Sequence, residues 1–168
     1  MTAEFEGPRT AIVTGGARRI GAAIARALSA DGWHLLIHCN RSRAEAEALA
    51  SELGDAAVVV ADLAEPDCAD RIMAGLDGLP SPRLLVNNAS RFVYDGVDDF
   101  TIENWEAHQA VNLRAPALIS RAFAGRVEGP IPTSSPTPSP SWVLAASRSC
   151  SPAPMPVELS ESAALRRP

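Results

Sequence analysis

The sequence predicts an α/β fold: a doubly wound parallel sheet, incomplete at about four strands with flanking helices, followed by an irregular C-terminal tail. Three observations predict it. Four short runs rich in Val, Ile and Leu carry no polar alternation, which is how strands buried on both faces read. Helical periods separate those runs. The grammar then changes near residue 124, dividing the chain into a periodic part, 1–124, and a tail, 125–168.

In chain order, the first strand is expected at Thr10–Thr14, followed by a glycine-rich turn and a helix with Ile20, Ile24, Ala27 and Leu28 on one face. The second strand is Trp33–His38, and its helix buries Ala46, Leu49, Ala50 and Leu53. The third is Ala56–Ala61, with Ala69, Ile72, Met73 and Leu76 on the helix after it. The fourth is Arg83–Asn87. A last helix runs from about Ile102 to Phe123, with Val111, Ala115, Leu118 and Ala122 on one side and a kink at Pro116. Strand and helix alternating four times imply parallel strands joined by crossovers.

The tail reads differently. Residues 1–124 hold 5 of the 14 prolines and residues 125–168 the other 9, together with 9 serines. Prolines at alternate positions, as in Pro136-Thr-Pro138-Ser-Pro140 and Pro152-Ala-Pro154-Met-Pro156, fit neither a helix nor a central strand. The tail is therefore expected to be irregular and largely extended, with Trp142 exposed in it. The abrupt change near Ala124–Gly129 suggests a shifted reading frame, with a genuine Pro-rich tail as the alternative.

Composition narrows the function. All 15 basic residues are Arg against 20 acidic ones, a net charge of -5, which argues against a nucleic-acid partner. The longest apolar runs are about six residues, far short of the ~20 that span a bilayer, so no membrane is expected. No leader-like segment opens the chain, and three widely spaced cysteines, Cys39, Cys68 and Cys150, read as reduced thiols. The expected location is cytoplasmic. No His/Cys/Asp cluster has metal-ligand spacing. His34 and His108 read as packing or surface residues, and Asp95, Asp98 and Asp99 as solvated loop charge.

The chemistry concentrates after the strands. The first turn reads Thr14-Gly15-Gly16-Ala17-Arg18-Arg19-Ile20-Gly21, with a helix directly behind it. Glycine lets backbone approach a pyrophosphate, and a helix N-terminus offers free N–H groups and positive dipole to it. The strand–turn–helix context is what gives such a turn meaning. The second strand ends in His38-Cys39-Asn40-Arg41-Ser42, with no carboxylate before Glu45. An Arg there accommodates a ribose 2′-phosphate where an acidic residue would bond a 2′-hydroxyl. Arg18 and Arg19 add charge nearby, so the expected cofactor is NADP(H).

These residues resemble the N-terminal half of a short-chain dehydrogenase/reductase with its Rossmann-type sheet, over about residues 8–124. The family's Thr-Gly-x-x-x-Gly-x-Gly motif stands as Thr14 to Gly21, with Arg19 in place of the middle glycine. That replacement, the His38 to Ser42 segment and Ser90 resemble the pteridine reductase and dihydromonapterin reductase branch. The resemblance implies that Gly15, Arg18, Arg19, Ile20, Gly21, His38, Asn40, Arg41, Ser42, Asp62, Leu63, Asn88, Ala89 and Ser90 bind the cofactor. It implies that Ser90 and Phe92 meet the substrate, with Phe92 stacked on a pterin ring, and that Asn112 is the Asn of the catalytic Asn-Ser-Tyr-Lys tetrad. The implied reaction is hydride transfer from NADPH to a C=N or C=O bond of a pterin-like or other small molecule.

One element is missing. The family moves its proton through Tyr-x-x-x-Lys, in which Lys lowers the Tyr pKa from ~10. The sole Tyr, Tyr94, is followed four residues on by Asp98, and the chain contains no Lys. The chain as written is therefore expected to be inactive, with a non-catalytic NADP(H)-binding module or a non-functional out-of-frame product as alternatives. The family's homo-oligomer is likewise in question, since its usual interface uses the helix that should carry that pair.

Overall fold

The computed structural model describes residues 7–127 and, as backbone, a strand at Trp142–Ala145. Residues 128–141 and 146–168, which hold Cys150 and most of the tail expectation, lie outside the described residues. The strands are β1 (Thr10–Val13), β2 (His34–Cys39), β3 (Ala56–Val60), β4 (Pro82–Asn87) and β5 (Trp142–Ala145). The helices are α1 (Arg19–Ala30), α2 (Arg43–Leu53), α3 (Cys68–Ala74), α4 (Ile102–Gln109) and α5 (Ala115–Ala124), with a π-turn at Ala110–Arg114 joining the last two.

The sheet runs β3-β2-β1-β4-β5, every pair parallel. This is the Rossmann-type, doubly wound arrangement. Its chain reversal lies between β1 and β4, where such sheets open a crevice at their carboxyl ends. A fifth short strand, beyond the four expected, lies within the tail read as irregular and largely extended: Trp142 pairs with Leu84 and Ala145 with Asn87. Four residues, Trp-Val-Leu-Ala, suffice because β4 already presents an unpaired edge.

Alternation divides the core. Ala11, Val13, Leu35, Ile37 and Val86 point to the α1/α2 side, and Ile12, Leu36 and Leu85 to the α3/α5 side, all almost fully buried. Ile72 and Met73 of α3 and Ile119 and Phe123 of α5 close the second face.

Two helical faces differ from the pattern read in the sequence. On α1 the buried residues are Gly21, Ala22 and Ala25, while Ala27 is exposed and Ile20 is 51% exposed. The helix packs so closely on the turn before it that a Cβ at Gly21 would stand 2.2 Å from the Gly15 carbonyl oxygen. Only small residues fit that contact, and Ile24 and Leu28 flank it.

In the last helix the buried positions are Ala110, Ala115, Ile119 and Phe123; of the expected face only Ala115 is fully buried, with Val111, Leu118 and Ala122 partly buried beside it. The Ala115 N–H bonds the Ala110 carbonyl, one residue beyond the α-helical partner, so the buried face skips a position there. Pro116, at the start of α5, has no N–H to continue the α ladder. The expected kink is thus a π-turn immediately ahead of the proline.

Candidate active site and cofactor cleft

A cleft of about 790 Å³ opens at the carboxyl ends of the strands. Its walls include Gly15, Arg18, Arg19, Ile20 and Gly21 from the β1–α1 turn, and His38, Asn40, Arg41 and Ser42 from the end of β2. Asp62 and Leu63 follow β3, and Asn88, Ala89, Ser90 and Phe92 follow β4. Thus every residue read as cofactor- or substrate-binding lies along one cleft. Asn112 stands behind it, bonded to Arg91 of the β4 loop.

The turn after β1 is held from three sides. Gly15 takes a φ of +62°, and a Cβ there would come within 2.9 Å of the Ala89 Cα. The Asn88 side-chain N–H₂ donates to the Thr14 carbonyl at 2.9 Å and the Gly15 carbonyl at 3.1 Å. The Thr14 hydroxyl oxygen accepts from the Asn88 and Ala89 amides at 3.0 and 3.1 Å. From the β2 side, the Gly15 amide donates to His38 Nδ1 at 3.1 Å, and the Gly16 amide to the His38 carbonyl at 2.9 Å. His38 is 2% exposed, and its Nε2 lies 3.0 Å from the Ala61 carbonyl oxygen. Burial lowers its pKa, against smaller opposing effects of that carbonyl and of Asp62. The side chains of His38 and Asn88 therefore bond the protein's own backbone, shaping the turn.

Arg19 holds a φ of +50° without being glycine. This left-handed geometry is the one a glycine at the middle of the motif would take, and it costs an L-residue about 1–2 kcal/mol. The rim is basic. Arg18 pairs with Glu45 of α2, which holds the Glu45 carboxyl below its ordinary range. Asp62 Oδ1 accepts from the Ala64 amide at 2.9 Å, a local turn that fixes the chain leaving β3. Leu63 is 4% exposed and belongs chiefly to the core. Cys39 is buried, which pushes its thiol pKa up, so it is a small apolar filler.

The opposite wall is the loop after β4. Asn112, on the π-turn, accepts from the Arg91 amide at 2.8 Å through Oδ1 and donates to the Arg91 carbonyl at 2.9 Å through Nδ2. His108, four residues earlier, accepts the Val93 amide at Nε2, 2.9 Å, and its Nδ1 donates to the Asn104 carbonyl at 2.8 Å. These two side chains, on one helix face, anchor alternate residues of an extended segment. Phe92, between them, is 59% exposed, with its ring centroid 6.3 Å from that of His108 and 6.5 Å from that of Tyr94. Sequence reasoning missed this use of His108. The available signal was its i, i+4 spacing to Asn112.

The short chain dehydrogenase family profile matches residues 9–130. The chain belongs to the short-chain dehydrogenase family. Among curated relatives, the short-chain dehydrogenase/reductase FrzI of Cladobotryum sp is 36% identical over 129 residues, 74% of this chain and 50% of that protein. Among solved structures, FolM alternative dihydrofolate reductase 1 from Brucella canis, complexed with NADP, is 41% identical with a TM-score of 0.67, covering 71% of this chain and 49% of that one. A blue fluorescent protein from a metagenomic library, in complex with NADPH, is 32% identical with a TM-score of 0.68, covering 71% and 51%. The chain spans about half the length of these family members.

Proposed function

We propose that this chain is the NADP(H)-binding half of a short-chain oxidoreductase and binds the dinucleotide without turning substrate over. The observation that carries this reading is the rim of the cleft. Among the described residues, the guanidinium groups of Arg19 and Arg41 have no hydrogen-bond or ion-pair partner, and Glu45 is already engaged by Arg18. Such cations suit a 2′-phosphate, which accepts charge-assisted bonds.

The fit of the turn is also good. Neither Gly15 nor Gly21 has room for a Cβ, and the amides at the start of α1 have no i−4 carbonyl to bond. They are left to a pyrophosphate. In this reading Asn40, Arg41 and Ser42 meet the 2′-phosphate side, Asp62 and Leu63 the adenine, and Ala89 and Ser90 the nicotinamide side, with the Asn88 side chain bracing the turn behind them. NADPH bound there supplies a hydride. Ser90 and Phe92 would present a flat heterocycle of pterin type to it, with Phe92 as the stacking face. The branch assignment draws support from the FolM neighbours.

Asn112 spends its side chain on Arg91 and acts by holding the loop. The Tyr-x-x-x-Lys proton relay cannot form: the one Tyr, Tyr94, is 79% exposed with Asp98 four residues on, and the sequence contains no Lys. Titration of the purified chain with NADPH and NADH tests the binding reading. At least about tenfold tighter NADPH binding is expected from one charge-assisted phosphate contact. Equal affinities would overturn the NADP assignment. Reduction of a dihydropterin above the rate in protein-free solution would overturn the claim of binding without turnover.

A further inference from the structure

We propose that His38 is a positioning residue for the dinucleotide turn, acting as a neutral imidazole with its proton on Nε2, and that taking up a second proton releases the turn. The inference rests on the dinucleotide reading of the cleft and adds to it a residue that sets the shape of the turn from behind.

The bonding pattern defines the tautomer. The Gly15 amide is a donor aimed at Nδ1, so Nδ1 must present a lone pair. The remaining proton then sits on Nε2 and is donated to the Ala61 carbonyl. The same residue's carbonyl accepts the Gly16 amide, so His38 ties down two successive amides of the turn. An imidazolium would set an N–H at Nδ1 against the Gly15 N–H, two donors facing one another with no acceptor between. The ring is 2% exposed and could not turn to water without opening the sheet end.

The surroundings favour the neutral form. From the β1–α1 turn the ring meets the uncharged Gly15 amide, and from the end of β3 the Ala61 carbonyl. The Asp62 carboxylate favours the cation, and burial outweighs it. Arg18, Arg19 and Arg41 lie exposed along the same cleft.

Two substitutions separate the two bonds. In His38→Asn the side-chain oxygen falls where Nδ1 stood and can still accept Gly15, without titrating. In His38→Gln the amide reaches the Nε2 position and keeps the Ala61 bond while leaving Gly15 without an acceptor. NADPH affinity of the full chain is measured from about pH 8 down through the ordinary histidine pKa near 6.5 to the lowest pH at which the chain stays folded, because burial sets the His38 pKa below that ordinary value. Nitrogen-15 NMR reads the His38 tautomer in the ligand-free chain.

The expected results are the Nε2–H tautomer, His38→Asn within about threefold of wild type near pH 7.5, and His38→Gln weakened about tenfold, the value of one hydrogen bond to a buried amide. The ratio of wild-type to His38→Asn affinity, in which the 2′-phosphate's own protonation cancels, should fall as the pH drops. An Nδ1–H tautomer, a His38→Gln affinity equal to wild type, or a pH-independent ratio would each overturn the proposal. Should the wild-type chain not bind NADPH at all, the cofactor reading fails, while the tautomer still judges the arrangement of His38 by itself.

Discussion

The two walls of the cleft are built on opposite principles. On the wall from β1 and β2, backbone and side chain are interlocked: Thr14, His38 and Asn88 together fix Gly15 and its neighbours, with Thr14, Gly16 and His38 buried and Gly15 and Asn88 half-buried. On the wall after β4, Phe92 is more than half exposed, as are or nearly are Tyr94, Val97, Phe100, Ile102 and Trp105 in the chain that runs on beyond the cleft, and the backbone is tied down at Arg91 and Val93 by side chains of one helix. The first wall derives its shape from burial and so tolerates little change. The second exposes apolar surface that contributes little to folding, and it is free to vary with what it must contact. A phosphate is the same in every dinucleotide, whereas substrates differ.

This contrast can be broken most sharply at Gly21. A Gly21→Val change forces a Cβ onto the Gly15 oxygen and should destabilise the fold by about 3 kcal/mol or more, with dinucleotide binding lost. Urea unfolding and NADPH titration read both effects, and a well-folded, binding variant would show the turn to be looser than its geometry. Asn88→Ala comes next. It strips two donors from the Thr14 and Gly15 carbonyls and should cost about 2 kcal/mol in the same assay.

Acid should act on the same wall. His38 is neutral in the fold with a lowered pKa, so below about 6.5 the unfolded chain takes up the proton first. The His38 contribution to stability is therefore complete above that pH. It is lost as pH falls toward the folded-state pKa, and no further below it. Denaturation midpoints of wild type and His38→Asn across this range should converge on acidification, and parallel curves would refute the assignment.

Arg19→Gly should raise stability by about 1 kcal/mol by removing a left-handed non-glycine residue, while weakening phosphate binding at the rim. The smallest effect belongs to the second wall. Phe92→Ala should change stability by less than about 0.5 kcal/mol, as exposed positions do, and a larger loss would mean that this wall is a structural one after all.

Much of the fold was legible because it obeys simple periods. The four apolar runs became β1 to β4 with no end moved by more than one residue, and Ala69, Ile72, Met73 and Leu76 are all buried as their spacing requires. What escaped was whatever depends on a neighbour distant in sequence. The strand Trp142–Ala145 is four residues in proline-rich surroundings, and only the open edge of β4 gives it a place. The small-residue face of α1 follows from its contact with the turn, which hydrophobicity does not encode. The skipped residue at Ala110–Arg114 is foreshadowed by Pro116, but its effect on the buried face depends on where the Ala115 amide finds its carbonyl, which residue types do not encode. In the cleft, residue types drew attention to segments that line one cavity. They could not tell a side chain that faces a ligand from one, such as His38 or Asn88, that holds the backbone behind it.

The strand order has a consequence for how the chain is made. β4 inserts beside β1, so the four strands β3-β2-β1-β4 are all available once Asn87 has left the ribosome, whereas β5 must wait for residue 142. Synthesis proceeds at about 5–20 residues per second, so the nascent sheet carries an unpaired edge at β4 for several seconds. During that interval α4 and α5 emerge, and α5 lays Ile119 and Phe123 over one face of the sheet before β5 exists. The order of synthesis thus places the vulnerable moment of this fold at β4, after the cleft at the strand ends has been framed and before β5 covers that edge.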